Sequence, residues 1–498
     1  MTMRKALSTL RRKTKVAVRE MRQGDWRGLA QRLGRNLKPI SDWASEAYTL
    51  GRHAISYRLR NGDARDGRVH LGTDTSLSVH PINGRSKNVI LIMLDALRQD
   101  IFNAYLTRGG LSSLLREGAH FPDTFAQGSW TYPSVFSYLT GMYPFNCGVS
   151  TIAGENEYYA SQCAEFDESM PTMFTILREH GYEVGSILDG WGFTIRDTAG
   201  QQHREDRYFE ENWGWVYGQD KRFLPLTELR ETTLDYIDQV AGRAPFALYV
   251  RSLYTHAPYK GIFRSADQVV RLSKRRWRFH IVEGFIDALW HFEREYLGPL
   301  LKALDRVGER ENSVVIIHSD HGEMLWNLEQ DLRTQSEIEE ELWRHQAEPY
   351  NALLRVPLLI SGASLRGVYQ GRFRLVDLLP TLLDELSISY EEEAFDGRSV
   401  HRDAARPIYA DSAGYGFGGI AFQPGNQKLL MSNRLQAVAY RLDENDYETI
   451  ASRTDGRPLV REFAEFMKHN TRSDHVLKCD TDPEGALAKR LRALGYIE

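Results

Sequence analysis

"NVILIMLD", Asn88–Asp95, is the most telling stretch of this chain. Six apolar residues stand in an unbroken row and a carboxylate closes it. A strand with one wet face alternates apolar and polar residues, so an unbroken run belongs to a strand covered on both faces. "FALYVRSLYTH" (Phe246–His256) and "SVVIIHSDHGE" (Ser313–Glu323) repeat the design, whereas "PTMFTILREHGYEVGSIL" (Pro171–Leu188) and "EREYLGPLLKALDRVGERENS" (Glu293–Ser313) carry the apolar spacing of helices. Strands alternating with helices predict an α/β fold, with a mostly parallel central sheet flanked by helices.

In such sheets ligands gather beyond the carboxyl ends of the strands. Asp95, His256, Asp320 and His321 all fall at predicted strand ends. Asp320 and His321 are adjacent and precede Gly322, so both side chains can leave a strand end toward one point. Two carboxylates, an imidazole and a hydroxyl form a set suited to one divalent cation. The hydroxyl is that of Thr131, at the mouth of a predicted helix in "GSWTYPSVFSYLTGMYP" (Gly128–Pro144). Threonine also serves as an N-cap, and an acid at a strand end is a common turn residue; both plainer roles stay open here.

Composition bounds the rest. The chain has 498 residues, a net charge of −4, 42% hydrophobic residues and three cysteines (Cys147, Cys163, Cys479) without CxxC spacing. That length supports a substantial core. The cysteines support neither a disulfide framework nor a thiolate zinc site, and a cytoplasmic setting is expected, peripheral to the inner face of a membrane at most. No apolar run approaches the roughly 20 residues of a membrane span, and the first fifteen residues lack the apolar stretch of a secretory signal.

Three regions are expected. Residues 1–84 form a basic helical N-terminal extension: among its first forty residues twelve Lys or Arg face two acids. That segment packs as a solvated helix or oligomer contact, or it meets anionic lipid or glycan. Residues 85–400 form the main α/β domain. Residues 401–498 form a smaller C-terminal antiparallel subdomain, with strands at "PIYADSA", "KLLMS" and "AVAYRLD" followed by helix. Basic and aromatic residues interleave over Lys274–Phe279, as a solvated face or as a cover for an acidic substrate. No nucleic-acid partner is expected, because the chain is slightly acidic and carries no reader motif.

"NVILIMLDALRQD", "GSWTYPSVFSYLTGMYP", "PFALYVRSLYTHAPY", "NSVVIIHSDHGE", "LLRVPLLISG", "VDLLPTLLDELSI" and "FDGRSV" occur in the order and spacing of the sulfatase family of the alkaline phosphatase superfamily. The resemblance is clear over residues 87–400 and looser to the terminal "LRALGYIE". It implies that Thr131 holds the nucleophile position, where sulfatases carry a Cys or Ser within a CxPSR-like pattern that becomes formylglycine. Here Val135 replaces the Arg, and threonine is not a substrate for that conversion. A threonine resembles instead the phosphodiesterases and phosphotransferases of the superfamily.

The resemblance further implies that Asp95, Thr131, Asp320 and His321 surround one metal, and that His256 contacts the ester or protonates the leaving group. His345, Tyr350 and Arg355 fall where the family lines the pocket rim. Ala96 follows Asp95 where many sulfatases have a second acid, which favours Mn, Zn or Mg over Ca. Asp189, without a nearby histidine, argues against a second metal. Arg98 either holds a charged substrate or pairs with Asp100. The function expected is a metal-dependent hydrolase or transferase of phosphate esters, on a glycan, lipid-linked sugar or small alcohol, through a phosphothreonine. The alternatives are a sulfatase without formylglycine and a non-catalytic glycan-binding scaffold.

Overall fold

The computed structural model describes residues 77–79, 86–147, 170–189, 224–256, 274–325, 345, 349–402, 406–412, 419–432, 436–443, 446–448 and 453–472, with the short strands 194–196, 202–204 and 215–217. The chain forms two compact units. One takes Asp66–Ile262, Val282–Glu337 and Leu342–Glu498, and the other takes Met1–Arg65, Phe263–Ile281 and Ile338–Glu341. All the described side chains belong to the first. The basic segment through residue 76 lies outside the described residues, as do the side chains of Lys274–Phe279.

Among the described residues nine strands make the central sheet: β1 Ser78–Val79, β2 Asn88–Leu94, β3 Gly118–His120, β4 Glu183–Leu188, β5 Trp215–Tyr217, β6 Phe246–Ser252, β7 Ser313–His318, β8 Leu358–Ser361 and β9 Leu365–Val368. Their spatial order is β1-β9-β3-β8-β7-β2-β6-β4-β5. The block β7-β2-β6-β4-β5 is parallel throughout. β8 runs antiparallel to β7 and β3, and β1 antiparallel to β9. Ser78–Val79 thus adds an edge strand inside the region expected to be helical.

The three apolar runs are three adjacent strands of that block, β7, β2 and β6, and every residue in them is buried. Burying one large aliphatic side chain stabilises by about 1.5–3 kcal/mol, so this layer outweighs any single polar contact in the molecule. Register does the rest: Leu94 lies opposite Ser252, and Met93 opposite His318. The residues that follow β2, β6 and β7 therefore leave the sheet at one edge.

Helix α1, Thr131–Thr140, is buried along its whole length and ends at Gly141 in the left-handed conformation (φ 67°). The stretch Pro171–Leu188 is helical only in its first half. Helix α2, Met173–Glu179, starts in a reciprocal Thr172/Thr175 capping box, Gly181 (φ 83°) turns the chain, and the remainder is β4. The apolar spacing runs on through the turn, which hides the boundary. Glu293–Ser313 is helical as far as Arg306, with a π-turn over Glu293–Leu297 leading into Gly298–Arg306, and its last residue, Ser313, already belongs to β7. Pro299 has no N–H to give the preceding turn, and the ladder slips there.

The C-terminal region is a five-stranded antiparallel sheet, β10 Ile408–Asp411, β11 Gly419–Gln423, β12 Gln427–Ser432, β13 Gln436–Arg441 and β14 Arg453–Asp455, in sequential order. Helix α3, Arg457–Asn470, follows and buries Leu459, Val460, Phe463 and Met467. Tyr143 and Val376 share that core. No described helix is long and apolar enough to cross a membrane.

Candidate active site

α1 begins at Thr131, and its N-cap is Trp130, extended at φ −158° and ψ 173° with no side-chain cap bond. The threonine hydroxyl is therefore not spent on capping. Thr131 Oγ1 lies 3.5 Å from Asp95 Oδ2 and 3.3 Å from His321 Nε2. Gly128 makes the turn before the helix possible: a Cβ there would sit 2.5 Å from Pro133 Cγ, and Ser134 Oγ donates to the Gly128 carbonyl at 3.0 Å.

Asp95 and Asp320 come from the ends of adjacent parallel strands. Between Asp95 and the following helix, Ala96 takes a left-handed φ of 61°, a conformation that costs a non-glycine residue about 1 kcal/mol or more. The turn points the Ala96 N–H at Asp320 Oδ1 (3.3 Å), which also accepts from the His321 N–H at 3.0 Å. The remaining oxygens, Asp95 Oδ1 and Asp320 Oδ2, are buried and have no hydrogen-bond partner.

His321 Nδ1 lies 2.7 Å from the Gly322 carbonyl. A carbonyl only accepts, so Nδ1 carries the proton and the Nε2 lone pair faces the two carboxylates, 3.5 Å from Asp95 Oδ1 and 3.5 Å from Asp320 Oδ2. The ligand atoms of Asp95, Asp320 and His321 all lie within 4.8 Å of one another. Burial first, and then the neighbouring Asp320, push the Asp95 carboxyl well above the usual carboxylate range. Two uncompensated carboxylate oxygens and an imidazole lone pair aimed at one point are costly by themselves and fit a divalent cation.

The structure brings His256 and His345 to the same edge. His256 Nε2 is 4.0 Å from Asp95 Oδ1, its ring centroid is 5.1 Å from that of His345, and His345 lies 4.5 Å from His321. Arg98 pairs with Asp100: its guanidinium holds both oxygens of that carboxylate, at 3.0 and 2.9 Å, and the Glu323 carbonyl at 3.1 Å. Arg355 lies 3.4 Å from Asp123 and over the Tyr447 ring. Tyr350 is the N-cap residue of a short helix, Asn351–Leu354. Asp189 ties two loops, accepting the Leu224 N–H at 2.7 Å and the Leu253 N–H at 3.0 Å.

Four residues at the site were not among those expected. Glu323 is buried, with Oε1 3.4 Å from His345 Nδ1. Arg251, also buried, donates to the Asp189 carbonyl at 3.3 Å and opposes the rise in the Asp95 pKa. Thr255 Oγ1 donates to the Asp95 carbonyl at 2.7 Å. Ser319 Oγ accepts the Leu97 N–H at 2.9 Å and donates to the His321 carbonyl at 2.8 Å. Glu323, inside "SDHGE", was a visible signal, whereas Arg251, a lone cation in an apolar strand, was not.

The sequence model of the Sulfatase family matches residues 87–388, more than half of the chain. The chain belongs to the sulfatase family. This sulfatase-family chain is 23% identical to an arylsulfatase of Clostridium perfringens over 379 residues, 61% of this chain and 75% of that one. Among solved structures it resembles a phosphonate monoester hydrolase of Silicibacter pomeroyi, with a TM-score of 0.56 and 15% identity, over 79% of this chain and 97% of that one. It likewise resembles the protein Ps i-CgsB, solved with k-i-k-neocarrahexaose, with a TM-score of 0.56 and 16% identity, over 82% of this chain and 98% of that one. At those identities the structural likeness shows the alkaline phosphatase-like fold. The family places the chain among metal-dependent ester hydrolases.

Proposed function

We infer that this sulfatase-family chain hydrolyses or transfers phosphate esters through a covalent intermediate on Thr131. The observation that carries the inference is the Thr131 hydroxyl, standing free of any capping role against Asp95 and His321 at 3.5 and 3.3 Å. Asp95, Asp320, His321 and the Thr131 oxygen would hold one divalent cation. When bound, that ion supplies Lewis-acid stabilisation of negative charge on the threonine oxygen and on the ester.

The residues do the following. Thr131 Oγ1 passes its proton to Asp95 Oδ2, the carboxylate it faces, and bonds to phosphorus as the bond from phosphorus to the leaving oxygen breaks, while His256 gives that oxygen a proton. Water or an acceptor alcohol then attacks phosphorus and returns a proton to His256, and the departing Thr131 oxygen takes its own proton back from Asp95. The N-terminus of α1 lies at the reacting group with its positive dipole end, which favours negative charge there. Threonine, unlike formylglycine, has no second carbon–oxygen bond through which to expel its ester, so release requires attack at the central atom. That requirement favours phosphorus over sulfur.

The test is a panel of an aryl phosphate, a bis-aryl phosphate and an aryl sulfate, each with Mn²⁺, Zn²⁺ or Mg²⁺. Turnover of a phosphate ester that falls at least about a thousandfold in Thr131→Ala, with metal still bound, is the expected result. Equal turnover by that variant refutes the nucleophile. Preference for the aryl sulfate would favour the second reading, sulfate ester hydrolysis, which the arylsulfatase relative supports.

A further inference from the structure

Among the described residues Lys428, on β12, is the one lysine buried from solvent. Its ammonium donates to Glu448 Oε1 at 2.5 Å and to Asn351 Oδ1 at 2.6 Å. A lysine only donates, so it selects one orientation of the Asn351 amide. The other end of that amide is committed too: Nδ2 donates to the Asp446 carbonyl at 2.5 Å and to Gln423 Oε1 at 3.3 Å. Glu448 also accepts the Asn351 N–H, at 2.9 Å. The start of the short helix Asn351–Leu354 is thus held at both its side chain and its first N–H.

That helix bears directly on the metal-ligand turn. The Leu353 carbonyl accepts the Gly322 N–H at 2.6 Å, and a Cβ on Gly322 would sit 2.2 Å from the Ala352 carbonyl oxygen. The Gly322 carbonyl in turn takes the Nδ1 proton of His321. A short relay of hydrogen bonds and one helical turn therefore connects a lysine of the C-terminal sheet to the imidazole of the site. An apolar cluster of the same shape would hold two layers together as well as a buried ion pair does, or better. What the ion pair adds is a single geometry.

We propose that Lys428, Glu448 and Asn351 form a positioning device for the metal site, holding His321 so that Nε2 faces Asp95, Asp320 and Thr131. The proposal rests on the assignment of Asp95, Asp320 and His321 as metal ligands. It is tested on the full chain by Zn²⁺ affinity, measured in competition with a chromophoric chelator. Asn351→Leu and Lys428→Met are each expected to weaken Zn²⁺ binding about tenfold, as loss of an outer hydrogen-bond partner does. The paired variant Lys428→Met/Glu448→Gln removes both charges together, and serves where the single lysine change fails to fold. Phe463→Leu, in the core of the same sheet, is expected to lower the melting temperature and leave Zn²⁺ affinity unchanged.

Wild-type affinity in the Lys428 and Asn351 variants, alongside loss of Zn²⁺ binding in Asp320→Asn, would overturn the positioning role and leave the metal site standing. Equal weakening by Phe463→Leu would reduce the cluster to a structural one and overturn it as well. If the wild-type chain binds no Zn²⁺, or Asp320→Asn binds it as tightly, the metal site and the positioning role fall together.

Discussion

At Asp95 the energetics turn on charge. Its carboxyl is raised by burial and by Asp320, so in the metal-free protein it holds a proton at pH values where the unfolded chain has released it. A raised folded pKa contributes stability that is complete below the unfolded value, about pH 4, and is lost as pH climbs through the folded value. Melting of the metal-free protein is therefore expected to worsen as pH rises from that range, and saturating Mn²⁺ is expected to reverse the trend. Calorimetry across pH, with and without metal, checks both signs. A metal-free melting temperature that rises with pH would contradict the assignment.

Asp95, Thr131, Asp320 and His321, the ligands proposed above, were all singled out at the residue level, because strand ends and "SDHGE" announce where polar groups converge. Arg251 and Lys428 were not: a lone cation in a strand reads as solvent-facing until a distant partner is known, and the partners here are the Asp189 carbonyl and Glu448. Thr131 was ambiguous between cap and nucleophile, and the N-cap geometry of Trp130 removes the first of these roles.

Among elements, the Asp320–Gly322 turn is packed without tolerance. Gly322→Ala places a methyl group 2.2 Å from a backbone oxygen, so the turn or the helix Asn351–Leu354 has to move. A loss of about 1–3 kcal/mol in urea titration is expected, together with weakened metal binding. Ala96 offers the contrasting case. Its left-handed backbone suits glycine, so Ala96→Gly is expected to stay within about 1 kcal/mol of wild type. Ala96→Val is expected to cost about 2 kcal/mol. β2, β6 and β7 were legible because of their long apolar runs, whereas β1, β3 and β9 were not. Each has four residues or fewer, and burial there comes from neighbours rather than from composition.

Over the whole molecule, the two sheets are stitched by Asp396 of the "FDGRSV" motif. Its Oδ2 accepts the Tyr143 N–H and the Asn146 amide, each at 2.7 Å, and Oδ1 accepts from Arg472 at 2.9 Å. Asp396→Ala takes the acceptor from two donors, the Tyr143 N–H and the Asn146 amide, and from one cation, and a loss of about 3 kcal/mol is expected in thermal or urea melts, with Zn²⁺ affinity unchanged. Such long-range ties carry no local pattern, which is why the α/β class could be read from residue spacing while the contact between the two sheets could not.

β2 lies inside the parallel block between β7 and β6, yet these two neighbours lie more than 200 and 150 residues further along the chain. During synthesis on the ribosome this seven-residue apolar strand emerges long before either flank exists to cover it. Contacts of such sequence separation form slowly, and an uncovered strand of this composition invites pairing with other chains. The segment that anchors the finished enzyme is thus the one most exposed to aggregation while it is being made, and recovery of soluble protein should respond to slower translation and to chaperones that shield nascent strands.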